Sequence, residues 1–437
     1  MKTTITTSEE GRCFRTSELK PAPRGTVPDF AVDLSATRQT IRGFGGAVTE
    51  AAASVYRSMD EGKRAETMRL LYSKEGLNYN WARLSLGSCD FSRRSYDYAK
   101  KADLSDFSLE PDRDIVAFLL DANKMRSLRL LASTWSPLAQ WKTNGEKCHG
   151  GRLREECYGL EAEYVSLYVD AMKKKGLPIE ALTVQNEPEA AQVWESCLYN
   201  GREEARLARR IHEKIPGVKL YAHDHNRDAI VRRAAEIFAD PRDRSIFQGI
   251  AYHWYDGGDF RQLSLAHGLF PEKELLFTEG CVELLNLNRR DPSAAIGSFD
   301  GALRYAENYL QDLRNHSAGF IDWNVLLDRH GGPNHVGNLC EAPLMYENGV
   351  LSINPSYYAI KHFSHFIEEG ARFLSLPEVS EVISGGAVNP DGSIILIFLN
   401  KCKGKPISFT FDRVTYQCYL NTNQITTIAF RKQGGFL

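Results

Sequence analysis

The sequence predicts an α/β protein: a (β/α)8 TIM barrel with an attached all-β sandwich domain formed by both termini. Three observations carry that expectation. Eight short apolar runs alternate with helical patterns between about residues 40 and 327. Beyond about residue 366, helical spacing gives way to strand runs with hairpin turns. Two of the eight apolar runs end in a glutamate, Glu187 and Glu279, where a parallel barrel collects its functional side chains.

Residues 1 to about 38 are polar and irregular, with Pro21, Pro23 and Pro28 and one alternating patch, Phe30 to Leu34. They read as short edge strands in need of a partner. The first barrel strand, Thr40 to Thr49, has glycine at 43, 45 and 46, which permits close backbone approach but lacks the full spacing of a phosphate loop. A helical pattern over 50–74 leads to the second strand, Asn78 to Leu86. A helix around Ile115 to Ala122 precedes the third strand, Ser127 to Ser133, and a helix over 155–176 precedes the fourth, Ile179 to Pro188. There, Pro188 is expected to keep Glu187 out of helical geometry and to stop the strand. Strands Val218 to His223, Phe247 to His253 and Glu274 to Thr278 follow, with helices over 202–214 and 227–238. Helix Ser298 to Leu313 introduces the eighth strand, Gly319 to Leu327. The tail holds Val382-Ile383, a turn at Asn389-Pro390-Asp391-Gly392, and runs Ile394 to Leu399, Ile407 to Phe411 and Ile425 to Phe430. The expected division is 1–38 and 366–437 for the sandwich and 39–365 for the barrel.

Composition narrows the function. With 43% hydrophobic and 25% charged residues, the chain is an ordinary globular protein. Its net charge of -2 argues against a partner held by its phosphate backbone, so no nucleic acid is expected. No stretch is long and apolar enough to cross a bilayer, and the first ten residues lack the apolar core of a signal peptide. Nine scattered cysteines, odd in number and without a CxxC pair, predict reduced thiols. These features predict a cytoplasmic protein without stable membrane insertion; they leave its oligomeric state open.

The residues just past each strand are Asp90, Trp135, Asn186 with Glu187, His225, His253 with Tyr255, Glu279 and Trp323. Aromatic faces can cover the apolar face of a pyranose while Asp and Asn grip its hydroxyls. Two carboxylates flanking a bond, one protonated and one ionised, are the minimum apparatus for glycoside hydrolysis. That chemistry requires no cofactor. The histidines at 149, 223, 225 and 253 show no tight ligand spacing, so no metal is expected. A non-catalytic carbohydrate-binding barrel would present the same aromatics; turnover of an aryl β-glycoside separates the two readings.

Several motifs occur in order from about residue 38 to 372: Gly43-Phe44-Gly45-Gly46-Ala47, Cys89-Asp90-Phe91-Ser92, Trp135-Ser136-Pro137, Gln185-Asn186-Glu187-Pro188, His253-Trp254-Tyr255, Thr278-Glu279-Gly280-Cys281, Asp322-Trp323-Asn324 and Pro355-Ser356-Tyr357-Tyr358. On these the chain resembles the glycoside hydrolase family that contains lysosomal glucosylceramidase, bacterial β-glucosidases, β-xylosidases and endo-β-1,6-glucanases. The resemblance implies that Glu187 is the general acid/base and Glu279 the nucleophile of a retaining double displacement. It implies that Asp90, Trp135, Asn186 and Trp323 contact the terminal sugar. His253, Tyr255 and Asn338 would line the site or support the nucleophile. An exo-acting, glucosylceramidase-like β-glucosidase is the favoured activity, with endo-β-1,6-glucanase or β-xylosidase as alternatives. One departure concerns the leaving-group side: an aromatic common after Trp-Ser-Pro in the family is displaced by one position to Trp141.

Overall fold

The computed structural model describes residues 2–284 and 295–431, so Met1 and residues 432–437 of the expected sandwich segments lie outside the described residues. Eight parallel strands close on themselves in chain order. They are Gly43–Ala47, Trp81–Leu86, Arg129–Thr134, Ile179–Thr183, Lys219–Asn226, Phe247–His253, Glu274–Glu279 and Ser317–Asp322. The ring closes where Gly43 pairs with Gly319 and Gly46 with Asp322. Glycine is required at Gly45, because a Cβ there would sit 2.2 Å from the carbonyl oxygen of Trp81.

Side chains alternate in and out along each strand, so residues two apart face the same way. One inward layer is apolar: Trp81, Leu131, Ala181, Tyr221, Ala251, Leu276 and Ile321 form a cluster of their own. Two residues further along, the same inward faces carry Arg83, Ser133, Thr183, His253 and Thr278, all buried. The barrel is therefore plugged at mid-height by hydrocarbon and polar above that, toward the strand C-terminal ends. The fifth strand breaks the alternation. His223 and Asp224 both adopt left-handed backbone, with φ of 78° and 50°. The pairing with the sixth strand slips there, from Ala251 opposite His223 to Tyr252 opposite His225. The extra residue is Asp224, which this bulge delivers to the polar layer.

The helical expectation over 50–74 resolves into two helices, Glu50–Ser58 and Glu61–Tyr72. The break comes at Asp60, whose Oδ1 accepts from Lys63 N at 2.8 Å and starts the second helix. The fourth strand ends at Thr183, short of the expected Pro188.

Both terminal segments contribute to one seven-stranded sheet, in the order Arg12–Glu18, Lys2–Glu9, Gln424–Arg431, Ile394–Asn400, Val382–Val388, Arg372–Leu374, Thr37–Thr40. A three-stranded sheet of Val414–Leu420, Lys405–Phe411 and Phe30–Ala31 packs on it, with Phe409 near Phe398 and Phe430. The N-terminal hairpin departs from the expectation of short edge strands: Lys2–Glu9 is an eight-residue strand paired on both sides. Its inward residues include Thr6 and Ser8, both fully buried, so no apolar alternation marked it. Ser8 Oγ instead meets His362 Nε2 at 2.8 Å, and His362 Nδ1 meets Thr427 Oγ1 at 2.7 Å, joining sandwich to barrel.

Candidate active site

A cleft of about 390 Å³ opens at the C-terminal face of the barrel. Asp90, Trp135, Asn186, Glu187, Tyr255, Glu279, Trp323 and Asn338 all line it, as does His225. His253 lies behind that wall and is fully buried.

Glu187 owes its position to a turn. Its φ is 46°, outside the extended geometry expected before a proline. Its N–H donates to the Asp224 carbonyl at 3.0 Å, and its own carbonyl accepts from Ala190 N at 2.9 Å. Strand alternation has ended by this point, which is why Asn186 and Glu187 both face the cleft. Asn186 is fixed by its N–H to the Thr134 carbonyl, 2.7 Å, and by its Oδ1 accepting from Arg83 Nη2, 2.9 Å.

Glu279 ends the seventh strand, held by a salt bridge to the Arg83 guanidinium and by Tyr255, whose hydroxyl donates to its Oε1 at 3.1 Å. One oxygen of Glu279, one of Glu187 and a ring nitrogen of His253 lie within 4.8 Å of one another. The two glutamates, remote in sequence, thus meet across one small gap.

Beneath them sits a charged layer that sequence reading missed. Arg83 Nη2 reaches Asp224 Oδ2 at 2.8 Å, with both side chains buried. Asp224 also accepts from Thr183 Oγ1 and Thr278 Oγ1, each at 2.6 Å, and from Ser133 Oγ at 3.0 Å. The available signal was an arginine inside the apolar strand Trp81–Leu86, in register with inward-facing Trp81. Asp224 had no comparable signal, because a bulge rather than alternation turns it inward.

His253 was expected to line the site or support the nucleophile; it stands behind the lining residues, close to both glutamates. Its Nδ1 lies 3.4 Å from Glu187 Oε1 and its Nε2 3.0 Å from Asp224 Oδ1. Tyr255, not His253, holds Glu279. Burial opposes a charge on His253, but Glu279, Asp224 and Glu187 outweigh it and raise its pKa to about 9. The imidazole is therefore protonated at neutral pH and donates at both nitrogens. Burial likewise opposes a charge on Glu187, yet the hydrogen bond from His253 and the fields of His225, His253 and Arg83 hold its carboxyl below the ordinary range. Glu279 is pushed upward by burial and by the charges of Glu187 and Asp224, against the pull of His253 and Arg83. These directions favour a charged imidazole on His253 beside an ionised Glu187.

Aromatic rings close one side. Trp135 and Trp323 stack at 5.3 Å, with the Arg83 guanidinium carbon 5.0 Å and 5.7 Å from their centroids. Asp90 accepts from Asn338 Nδ2 at 2.7 Å; burial, reinforced by Glu279, raises its pKa to about 8. Trp141 is absent from the cleft: it is buried in the core against Tyr164, ring centroids 6.0 Å apart. The displaced aromatic therefore supports the barrel wall. Among the described residues, two clusters bring three potential metal-ligand atoms together, the Glu187–His253–Glu279 trio and Glu146–Cys148–His149 on an outer loop.

The glycosyl hydrolase family 30 TIM-barrel domain matches residues 41–367. The chain belongs to that family. It is 32% identical over 393 residues to the lysosomal acid glucosylceramidase of Mus musculus, covering 83% of this chain and 75% of that one. It is 26% identical over 401 residues to an endo-1,6-beta-D-glucanase of Neurospora crassa, covering 84% and 80%. The crystal structure of SrfJ from Salmonella typhimurium superposes with a TM-score of 0.91 at 32% identity, covering 99% of this chain and all of that one. This family 30 protein is accordingly an O-glycosyl hydrolase acting on a carbohydrate substrate. No helix among its described residues is long and apolar enough to cross a membrane.

Two expected outcomes follow from the charged layer of this family 30 site. Arg83→Met takes the guanidinium from Glu279 and leaves buried Asp224 with His253 alone, so stability falls by about 3–5 kcal/mol; denaturant unfolding measures it, and a loss near zero would contradict the pairing. His253 has a folded pKa raised above its ordinary 6.5 to about 9. Its contribution to stability is therefore complete below pH ~6.5 and lost as pH rises toward ~9. His253→Gln should flatten the stability profile across that window, read by thermal unfolding at a series of pH values.

Proposed function

We propose that this hydrolase is an exo-acting retaining β-glycosidase, with a β-D-glucoside as its substrate. Glu279 serves as nucleophile and Glu187 as general acid/base. The observation that carries the reading is the approach of the two carboxylates, with oxygens within 4.8 Å. Retaining enzymes hold the pair roughly 5–5.5 Å apart, whereas inverting ones leave roughly 6.5–9.5 Å for a water between them.

In the first step Glu279 attacks the anomeric carbon, and the leaving oxygen takes a proton from Glu187. The site contains that proton before substrate arrives. A charged His253 would hold it at Nδ1, 3.4 Å from Glu187 Oε1. A proton on His253 with ionised Glu187, and neutral His253 with protonated Glu187, have the same total charge; substrate that displaces water from the cleft favours the uncharged pair. Once Glu279 is esterified, ionised Glu187 activates the water that releases the sugar. The stacked Trp135–Trp323 pair and the Asp90–Asn338 pair line the cleft and support recognition of a terminal sugar, one as an apolar wall and the other as hydroxyl partners.

The test uses a reduced β-1,6-linked gluco-oligosaccharide, followed by proton NMR. Single glucose units released first as the β-anomer are expected. Internal cuts would replace the exo reading with an endo-glucanase reading. The α-anomer as first product would overturn the retaining mechanism.

A further inference from the structure

Outside the cleft, the loop after the third barrel strand gathers three side chains of mixed ligand chemistry within one turn. Glu146 Oε2 lies 2.9 Å from His149 Nδ1 and 3.9 Å from Cys148 Sγ, and one ligand atom from each residue falls within 4.8 Å of the others. Zinc binds nitrogen at ~2.0–2.1 Å, carboxylate oxygen at ~2.0–2.2 Å and thiolate at ~2.3 Å. A tetrahedron with those edges separates O from N by roughly 3.3 Å and O from S by roughly 3.5 Å. The observed O···N separation is shorter and the O···S separation longer than these values, each by about 0.4 Å, a difference that rotation of the half-exposed Glu146 carboxyl covers.

The backbone around the three ligands is fixed by a neighbouring loop. Cys148 bridges to Glu195, His149 N donates to the Gln192 carbonyl at 2.7 Å, and Gly150 N donates to Ser196 Oγ at 3.0 Å. The one cation within the turn points away: Lys147 Nζ pairs with Asp97 at 2.7 Å and bonds Ser88 Oγ. A thiolate and a carboxylate would neutralise a divalent ion, with water in the fourth position.

We propose that Glu146, Cys148 and His149 form a surface zinc site. Binding exchanges the Cys148 thiol proton for the metal: the S–H bond breaks, an S–Zn bond forms, and one proton leaves to solvent without any redox change. The His149–Gln192 bond connects the site to the cleft, since Gln192 and Trp194 form the rim beyond Glu187. Zinc occupancy therefore stiffens this stretch of the cleft rim. This last consequence rests on the glycosidase reading; the site itself does not.

The experiment titrates the metal-stripped 437-residue chain with Co²⁺, which reports a thiolate ligand by a charge-transfer absorption in the near ultraviolet. One equivalent of Co²⁺, displaceable by Zn²⁺ and accompanied by proton release, is expected. The absorption should vanish in Cys148→Ala, and His149→Ala should weaken affinity by about 100-fold, at or above the loss from removing an outer-shell partner. No thiolate absorption in the unmodified chain, or one that survives Cys148→Ala, overturns the site. A KM for a β-1,6-linked disaccharide that zinc lowers in the unmodified chain but not in Cys148→Ala supports the link to the rim. A KM indifferent to zinc, with the cobalt spectrum present, overturns the link alone.

Discussion

Glu279→Gln is expected to abolish turnover on every β-glycoside, with kcat/KM falling by roughly 10⁴-fold or more. The substitution keeps the shape of the side chain: its amide oxygen can still accept from Arg83, while the NH2 takes the place of the oxygen that Tyr255 addresses and can donate to that hydroxyl. On the proposed mechanism it removes the group that forms the bond to the anomeric carbon. The leaving group should make no difference, because even an activated aryl glycoside needs that bond. A folded variant is required for the comparison, and thermal unfolding supplies the check. Stability should fall only modestly, since Arg83 retains Asp224 as its counter-charge. Activity within tenfold of the parent, on any substrate, would remove Glu279 from its role.

The second large effect depends on the substrate. Glu187→Gln should cost about 10²–10⁴-fold in kcat/KM on alkyl or sugar leaving groups, the usual worth of a positioned proton donor. On aryl glycosides with good leaving groups, bond cleavage needs little protonation, and the loss in the first step should be small. Hydrolysis of the glycosyl-enzyme would then limit the rate, giving a burst of phenol before slow turnover. A plot of log kcat/KM against leaving-group pKa measures this directly: nearly flat for the parent and steep for the variant. Equal losses on poor and good leaving groups would show that Glu187 does not deliver the proton.

Much of this was legible from residue order. Alternating strand and helix patterns gave eight barrel strands, and a parallel barrel fixes which end of each strand is functional. Hence Glu187 and Glu279 could be paired before any coordinates. What escaped was set by departures from regular geometry or by burial of polar groups. Glu187 faces the cleft through left-handed backbone after its strand has ended, a conformation that Pro188 argues against. Asp224 turns inward through a bulge, which reverses the side-chain alternation on which sequence reading relies. Arg83 sits where an apolar residue is the default, stabilised by carboxylates from two other strands. His253 was assigned to the right region, close to both glutamates; that its hydrogen bond goes to Glu187 was not legible, since adjacent strand ends cannot be ranked by distance from sequence. The N-terminal hairpin was hidden because its buried face uses threonine and serine, satisfied by His362 and the opposing strands.

The hairpin has a consequence for how the molecule is made. Lys2–Glu9 is synthesised before every barrel strand, yet its neighbour, Gln424–Arg431, is synthesised after all of them. At roughly 5–20 residues per second, the first strand waits on the order of 20–80 s for its partner. The barrel can assemble in that interval, while the sandwich sheet must remain open along this edge. Nascent chains should therefore depend on holdase chaperones at the outer sheet more than at the catalytic barrel.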